Sequence, residues 1–163
     1  MSSLPSKLQS LLETFDSVTD AEERAMLLVS YADRFREVPP EIAVRPFPNS
    51  QRVEYCESEA YVWAIPLRDG RIKLWFAIEN PSGVSAKALS AILDETLSGS
   101  TPAEIASIAT DIVGRIFRQN ISMGKGMGLT GIVEKVRTLA RRHVAEPSRE
   151  PAPAARSSPA STR

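Results

Sequence analysis

The stretch Gln51-Arg-Val-Glu-Tyr-Cys-Glu-Ser-Glu-Ala-Tyr-Val-Trp-Ala-Ile-Pro-Leu-Arg-Asp-Gly-Arg-Ile-Lys-Leu-Trp-Phe-Ala-Ile78 decides the fold. Apolar residues recur in it at every second position. Tyr61, Trp63 and Ile65 share one face, and Ile72, Leu74, Phe76 and Ile78 share one face of the following run. Side chains alternate across a strand, so a period of two predicts two half-buried strands. Between them lies Arg68-Asp-Gly, a dipeptide type that accepts the positive φ angles of a tight reversal; Val62 to Leu67 and Arg71 to Ile78 are expected to pair antiparallel. Gln51 to Tyr55 is expected to add a third strand.

Outward from this hairpin the period becomes helical. On the N-terminal side Leu4, Leu8, Leu11, Leu12 and Phe15 predict one helix, and Asp20 followed by Glu23 makes a capping-box-like start for a second running toward Phe35. Val38-Pro-Pro-Glu, Arg45-Pro-Phe-Pro and Asn49-Ser then mark an ordered connector, because proline removes a backbone donor and restricts the residue before it. On the C-terminal side, after Asn80-Pro-Ser-Gly, Ala88, Leu89, Ile92, Leu93 and Leu97 predict an amphipathic helix that stops near Ser98-Gly99. Thr101-Pro-Ala-Glu opens another, with an apolar side at Ile105, Ile108, Ile112 and Ile116 and a break expected in the Asp111 to Gly114 region. Leu129, Ile132, Val133, Val136, Leu139 and Ala140 make the last helix, ending in Arg141-Arg-His. The glycine-rich Met123-Gly-Lys-Gly-Met-Gly is read as a loop before it; it lacks the spacing and the Lys-Ser/Thr ending of a phosphate-binding loop.

These elements predict an α+β fold, a small antiparallel sheet of about three strands covered by helices from both ends of the chain. With 163 residues, one domain over residues 1–145 is expected. Residues 146–163 are Pro, Ala, Ser and Arg without a large apolar side chain, and are expected to be disordered.

Composition narrows the function. Twenty basic and twenty acidic residues cancel, so no long-range field draws the chain to nucleic acid or anionic membranes. One cysteine, Cys56, closes no internal disulfide, and one histidine, His143, builds no zinc cluster; no cofactor or metal is expected on the chain. No apolar run nears the roughly 20 residues of a membrane span, and Met1-Ser-Ser-Leu-Pro lacks the basic and apolar parts of a secretory signal, so a soluble protein of the reducing cytoplasm is expected. His143, beside Arg142 at a helix end, reads as a solvated charge. The acidic residues Asp16, Asp20, Glu22 and Glu23 read as solvated faces.

Cys56 is the candidate centre. It falls between strand-like segments in a polar patch, which favours a turn over a core; free cysteine is also commonly a small buried hydrophobe, and both readings stand on position alone. Asn49, Val53, Cys56, Ser58, Val62 and Trp63 resemble, in order and spacing, the cysteine region of the SufE family. The likeness extends to the paired N-terminal helices, the hairpin, the Thr101-Pro-Ala-Glu-Ile helix start and the Gly128-Leu129 opening of the last helix, over roughly residues 4 to 143. The chain departs from the pattern at three places: Tyr55 stands where the family has Gly, Glu57 where it has Gln, and Lys125, in Gly124-Lys-Gly-Met, where it has an arginine. Lysine offers a point charge in place of a bidentate fork.

The resemblance implies an accessory protein of iron–sulfur cluster assembly. It implies that Cys56 takes persulfide sulfur from a SufS-like, pyridoxal-phosphate-dependent cysteine desulfurase, stimulates that enzyme, and passes sulfur to a SufB-like scaffold. Pyridoxal phosphate belongs to the partner. One cysteine disfavours cluster scaffolding by the chain itself. The nucleophile must be a thiolate, which the flanking carboxylates Glu57 and Glu59 oppose, so Lys125, Arg52 or the docked partner is expected to activate it. Ser58 belongs to the same motif, Tyr55, Tyr61 and Trp63 are candidate shields of the sulfur, and Glu54, Glu57, Glu59 and Arg52 are candidate partner contacts. Two competitors are a non-catalytic interaction module with a structural Cys56, and a cysteine hydrolase needing His143 as base.

Overall fold

The computed structural model describes residues 4–145; the expected disordered tail lies outside them. Helices α1 (Ser6–Ser17) and α2 (Ala21–Ala32) precede a hairpin of β1 (Ala60–Pro66) and β2 (Ile72–Ile78), and α3 (Val84–Leu97), α4 (Pro102–Ala106), α5 (Ile112–Phe117) and α6 (Met123–Ala145) follow it. None of these helices is long and apolar enough to cross a membrane.

Local chemistry sets most boundaries. The Asp20 carboxylate accepts from the Glu23 amide at 3.0 Å to start α2, and the Thr101 hydroxyl accepts from the Glu104 amide at 3.2 Å to start α4, with Pro102 in the first turn. The reversal between the strands has a positive φ only at Gly70 (84°); the Gly70 amide donates to the Leu67 carbonyl at 2.9 Å and the Leu67 amide to the Arg71 carbonyl at 2.7 Å. That is a three-residue hairpin loop with glycine in the left-handed position, longer than a two-residue Asp-Gly turn.

The strands pair antiparallel, Val62 opposite Phe76 and Ala64 opposite Leu74. Their two faces have separate partners. Val62, Ile72, Leu74 and Phe76 pack into the main core with α1, α3 and α6, whereas Trp63 and Ala77 join Val38 and Phe47 in a second cluster beneath the connector. The connector is tied down by the Val38 amide, which donates to the Phe76 carbonyl at 2.9 Å, by Phe47 edge-on to Trp63 at 5.1 Å, and by Arg45 bridging Glu37 and Glu79. Helix α3 crosses the middle of the molecule. Its Ala86, Ala88, Ser90 and Ala91 are buried along with its leucines and isoleucine, the small side chains allowing close approach on every side.

Four expectations are corrected. The sheet has two strands: Gln51 to Tyr55 contributes only an isolated bridge of Arg52 with Tyr61 and the Val53 amide donating to the Ala60 carbonyl, because Asn49–Gln51 coils into a 3-10 turn and Tyr55 turns left-handed (φ 59°), leaving no extended run to pair. The glycine-rich Met123 to Met127 is helical, the first turns of α6 rather than a loop. The break between α4 and α5 spans residues 107–111 and so meets the expected Asp111 to Gly114 region only at Asp111, with Ile112 to Gly114 already helical. His143 is half-buried, its Nε2 3.1 Å from the Ala64 carbonyl oxygen on β1, rather than fully solvated.

Candidate functional site

Cys56 stands in the turn that leads into β1. The Val53 amide bonded to the Ala60 carbonyl at 2.8 Å fixes the entry, the Glu59 amide donates to the Cys56 carbonyl at 3.0 Å, and the Asn80 amide donates to the Ser58 carbonyl at 3.1 Å. Two non-glycine residues in the turn are left-handed, Tyr55 (φ 59°) and Glu59 (φ 51°). Such backbone carries a cost for a residue with a Cβ, of order 1 kcal/mol or more each. Tyr55 gains no packing in return; its side chain is 90% exposed. Cys56 itself is only 8% exposed and belongs to the main core cluster, with its sulfur turned toward Gly128 of α6.

Beside the thiol opens a cavity of about 1290 Å³ between the turn and α6. From the turn it is lined by Arg52, Glu54, Tyr55, Cys56 and Glu57, so five of the residues singled out in the sequence meet there. From α6 come Met127, Gly131, Glu134, Lys135, Thr138 and Arg142, of which the sequence reading named Arg142 only as a charge at the helix end and assigned none to the site. Their spacing marks them as the helical stripe complementary to the buried Leu129, Ile132, Val133, Val136 and Leu139, but which element that stripe faces is set by tertiary packing.

The charges around this cavity are unevenly used. Among the described residues, Arg52, Glu54, Glu57 and Arg142 make no ion pair and no side-chain hydrogen bond, while Glu134 is held by Arg137 at 3.0 Å. Lys135 donates to the Ser50 carbonyl at 2.7 Å, pinning the connector's end to α6. Burial pushes the Lys135 ammonium below the usual lysine value, helped by Arg142 and opposed by Glu54.

Other candidates sit elsewhere. Tyr61 and Trp63 stack on the opposite face of the sheet, ring centroids 6.2 Å apart, in the connector cluster; alternation along β1 separates them from the Cys56 side, and they do not shield the sulfur. Ser58 lies half-buried behind the turn against Gly83, and Glu59 leads into β1; neither lines the cavity. Lys125 is exposed on the first turn of α6 and also lies off the lining; the lysine that lines the cavity is Lys135. His143, engaged with β1, is likewise off the lining and is no base for Cys56. Among the described residues no three His, Cys, Asp or Glu side chains stand close enough to hold a metal ion.

A family model described as "SufE: Fe-S metabolism associated domain" matches residues 9–140. The solution structure of a hypothetical protein from Thermus thermophilus superposes with a TM-score of 0.71, covering 88% of this chain and 99% of that one at 23% sequence identity; the two share a fold. No curated protein matches the sequence.

Proposed function

The chain belongs to the SufE family, the Fe–S metabolism associated domain, and on that footing we propose that Cys56 accepts sulfur as a persulfide from a cysteine desulfurase and hands it to an iron–sulfur scaffold. The observation that carries the reading is the position of Cys56, the chain's only thiol, in a left-handed turn at the wall of an open cavity rimmed by unpaired charges. A cysteine kept solely for packing has no need of such a setting.

The chemistry is thiol–persulfide exchange. The Cys56 thiolate attacks the terminal sulfur of the desulfurase's cysteine persulfide; the new bond joins Cys56 Sγ to that sulfur, and the desulfurase cysteine departs as thiolate. No oxidant or reductant is consumed. Pyridoxal phosphate acts in the desulfurase and is not bound by this chain. The partner's docking raises the reactivity of Cys56 by giving access to a sulfur that is buried in the free protein. Arg52, on the same rim, is the cation closest in sequence and the candidate to assist the transfer, and Glu54 and Glu57 on the rim, with Glu59 in the same turn but off the lining, are the candidate partner contacts.

Burial of Cys56 in the core cluster favours one other reading, an interaction module whose cysteine is structural. A single experiment separates the two. The protein is incubated with a cysteine desulfurase and free cysteine, and its intact mass is measured: a gain of one sulfur that disappears in Cys56→Ser supports the acceptor, and an unmodified mass together with undiminished desulfurase stimulation by Cys56→Ser supports the module.

A further inference from the structure

Helix α6 contains glycine at positions 124, 126, 128 and 131. Each costs about 1 kcal/mol relative to alanine inside a helix. The four are not equivalent. A β-carbon on Gly124 would meet nothing within 4 Å, and one on Gly126 would touch only the Ile121 side chain at 3.4 Å. One on Gly128 would stand 3.5 Å from the Cys56 Cα and 3.7 Å from its Sγ, and one on Gly131 would come within 3.1 Å of the Val53 side chain and 3.3 Å of the Glu54 carbonyl oxygen. Gly128 and Gly131, neighbours on one helical face, therefore form a bare track on which residues 53–56 lie.

We propose that Gly128 is a positioning residue for Cys56: its missing side chain is the socket that shelters the thiol, and a side chain larger than a methyl group there presents the thiol to solvent. A methyl group fits, because its contacts with Cys56 fall at ordinary van der Waals distance. A γ-carbon extends farther in the same direction and has to displace something. Helix α6 does not yield, being buried along Leu129, Ile132, Val133 and Val136. The turn does, since its left-handed Tyr55 contributes almost no packing and its backbone bonds, from Val53 to Ala60, Glu59 to Cys56, Asn80 to Ser58 and Glu79 to Glu59, leave Glu54, Tyr55 and Glu57 without one. The fraction of time that the sulfur is presented is thus set by a residue of α6 rather than by the cysteine's sequence neighbours.

The inference deepens the acceptor reading of the same site, but its test needs no desulfurase. Cys56 is the only thiol, so iodoacetamide alkylation followed by intact mass reports on it alone. Gly128→Ala, Gly128→Val and Gly128→Leu are compared with Gly124→Leu as the control that fills open space. The alanine and control variants are expected to react at the wild-type rate within about twofold, and the leucine variant about tenfold faster, as befits a turn moved from mostly sheltered to mostly presented. Far-UV circular dichroism and thermal melts identify the variants that remain folded. Among those, a rate that does not climb with side-chain volume at position 128, or one that climbs equally in Gly124→Leu, overturns the proposal. Should the leucine variant not fold, the alanine-to-valine step decides by the same criterion. If the alkylation ladder holds while the wild type takes no sulfur from a desulfurase, the socket stands and the acceptor reading falls; a flat ladder with sulfur uptake gives the reverse.

Discussion

The guanidinium of Arg24 donates to the carbonyl oxygen of Ile116 at 2.8 Å, joining α2 to the end of α5 across 92 positions of sequence. Arg24 is 2% exposed, and it also donates to the carbonyls of Phe15, Val18 and Arg115, with its plane over the Phe15 ring at 5.6 Å. The carbonyls of Val18, Arg115 and Ile116 at the ends of α1 and α5 thereby find a donor in one buried cation, and that of Phe15, which already accepts from the Val18 amide, gains a second. Burial draws the Arg24 pKa down, with Arg118 adding to the effect and Asp16 opposing it.

Replacing Arg24 by Met keeps the bulk and removes every one of those bonds. Stranded buried acceptors cost about 1–3 kcal/mol each where water cannot reach them, so a loss of roughly 3 kcal/mol of unfolding free energy is expected, seen as a lower urea midpoint at unchanged m-value. Arg24→Lys, a single point charge unable to span the carbonyls, is expected to recover less than half. A midpoint for Arg24→Met within the error of the wild type would mean that water already serves these carbonyls.

Asp16 pairs with Arg115 at 2.7 Å on the same side of the molecule, and the Arg115 hydrogen bond is the largest influence holding its carboxyl below the ordinary value of 3.8. A depressed folded-state pKa means stability present above the unfolded value and lost as pH falls through the folded one. Wild type is therefore expected to melt above Asp16→Asn at neutral pH, with the gap closing as pH drops below about 4. The pair is solvent-exposed, so high salt should shrink the gap as well. A gap that is the same at neutral and strongly acidic pH would assign the effect to something other than charge.

Tyr55 offers a test of backbone strain. In a left-handed, exposed position, Tyr55→Gly removes the Cβ penalty and loses no packing, while glycine's extra freedom in the unfolded chain offsets part of the gain; a net stabilisation of about 0.5 kcal/mol is expected. Gly70→Ala, at φ 84° in the hairpin, is the mirror experiment and should destabilise by about 1 kcal/mol although nothing lies within 4 Å of the new methyl. Thermal denaturation of the two variants checks both signs.

The parts of this architecture that were legible in the sequence are those whose cause is local. Alternation from Tyr61 to Ile78 named both strands and grouped Tyr61, Trp63 and Ile65 on one face of the first and Ile72, Leu74 and Phe76 on one face of the second, and Asp20 and Thr101 announced helices that they do cap. What was missed depends on contacts between distant segments. Four glycines argue against helix at the start of α6, yet the segment is helical, with residues 53–56 packed against Gly128 and Gly131. Arg24 resembles any surface arginine until α5 folds over it. The thiol's turn was readable; the α6 stripe that completes its cavity was not, since only tertiary packing decides which side of α6 the turn lies against.

The rim of that cavity yields the last prediction. Arg52, Glu54 and Glu57 have no partner among the described residues, whereas charges elsewhere, such as Arg45 with Glu37 and Glu79, are paired. Charges left open around a site serve encounter with a partner more than stability, so neutralising them should leave the fold alone. Glu54→Gln with Glu57→Gln is expected to melt within about 1 °C of wild type and to raise the concentration needed for half-maximal desulfurase stimulation by about three- to tenfold at low salt, the difference fading as salt approaches about 0.5 M. Arg52→Gln should act on a second quantity. As the rim cation nearest the cysteine in sequence, it is expected to slow sulfur uptake at saturating desulfurase, by about threefold, where the glutamines do not. Equal effects of all three substitutions on half-saturation, with no effect on the saturated rate, would place Arg52 among the docking charges and leave activation of the thiol to the partner alone.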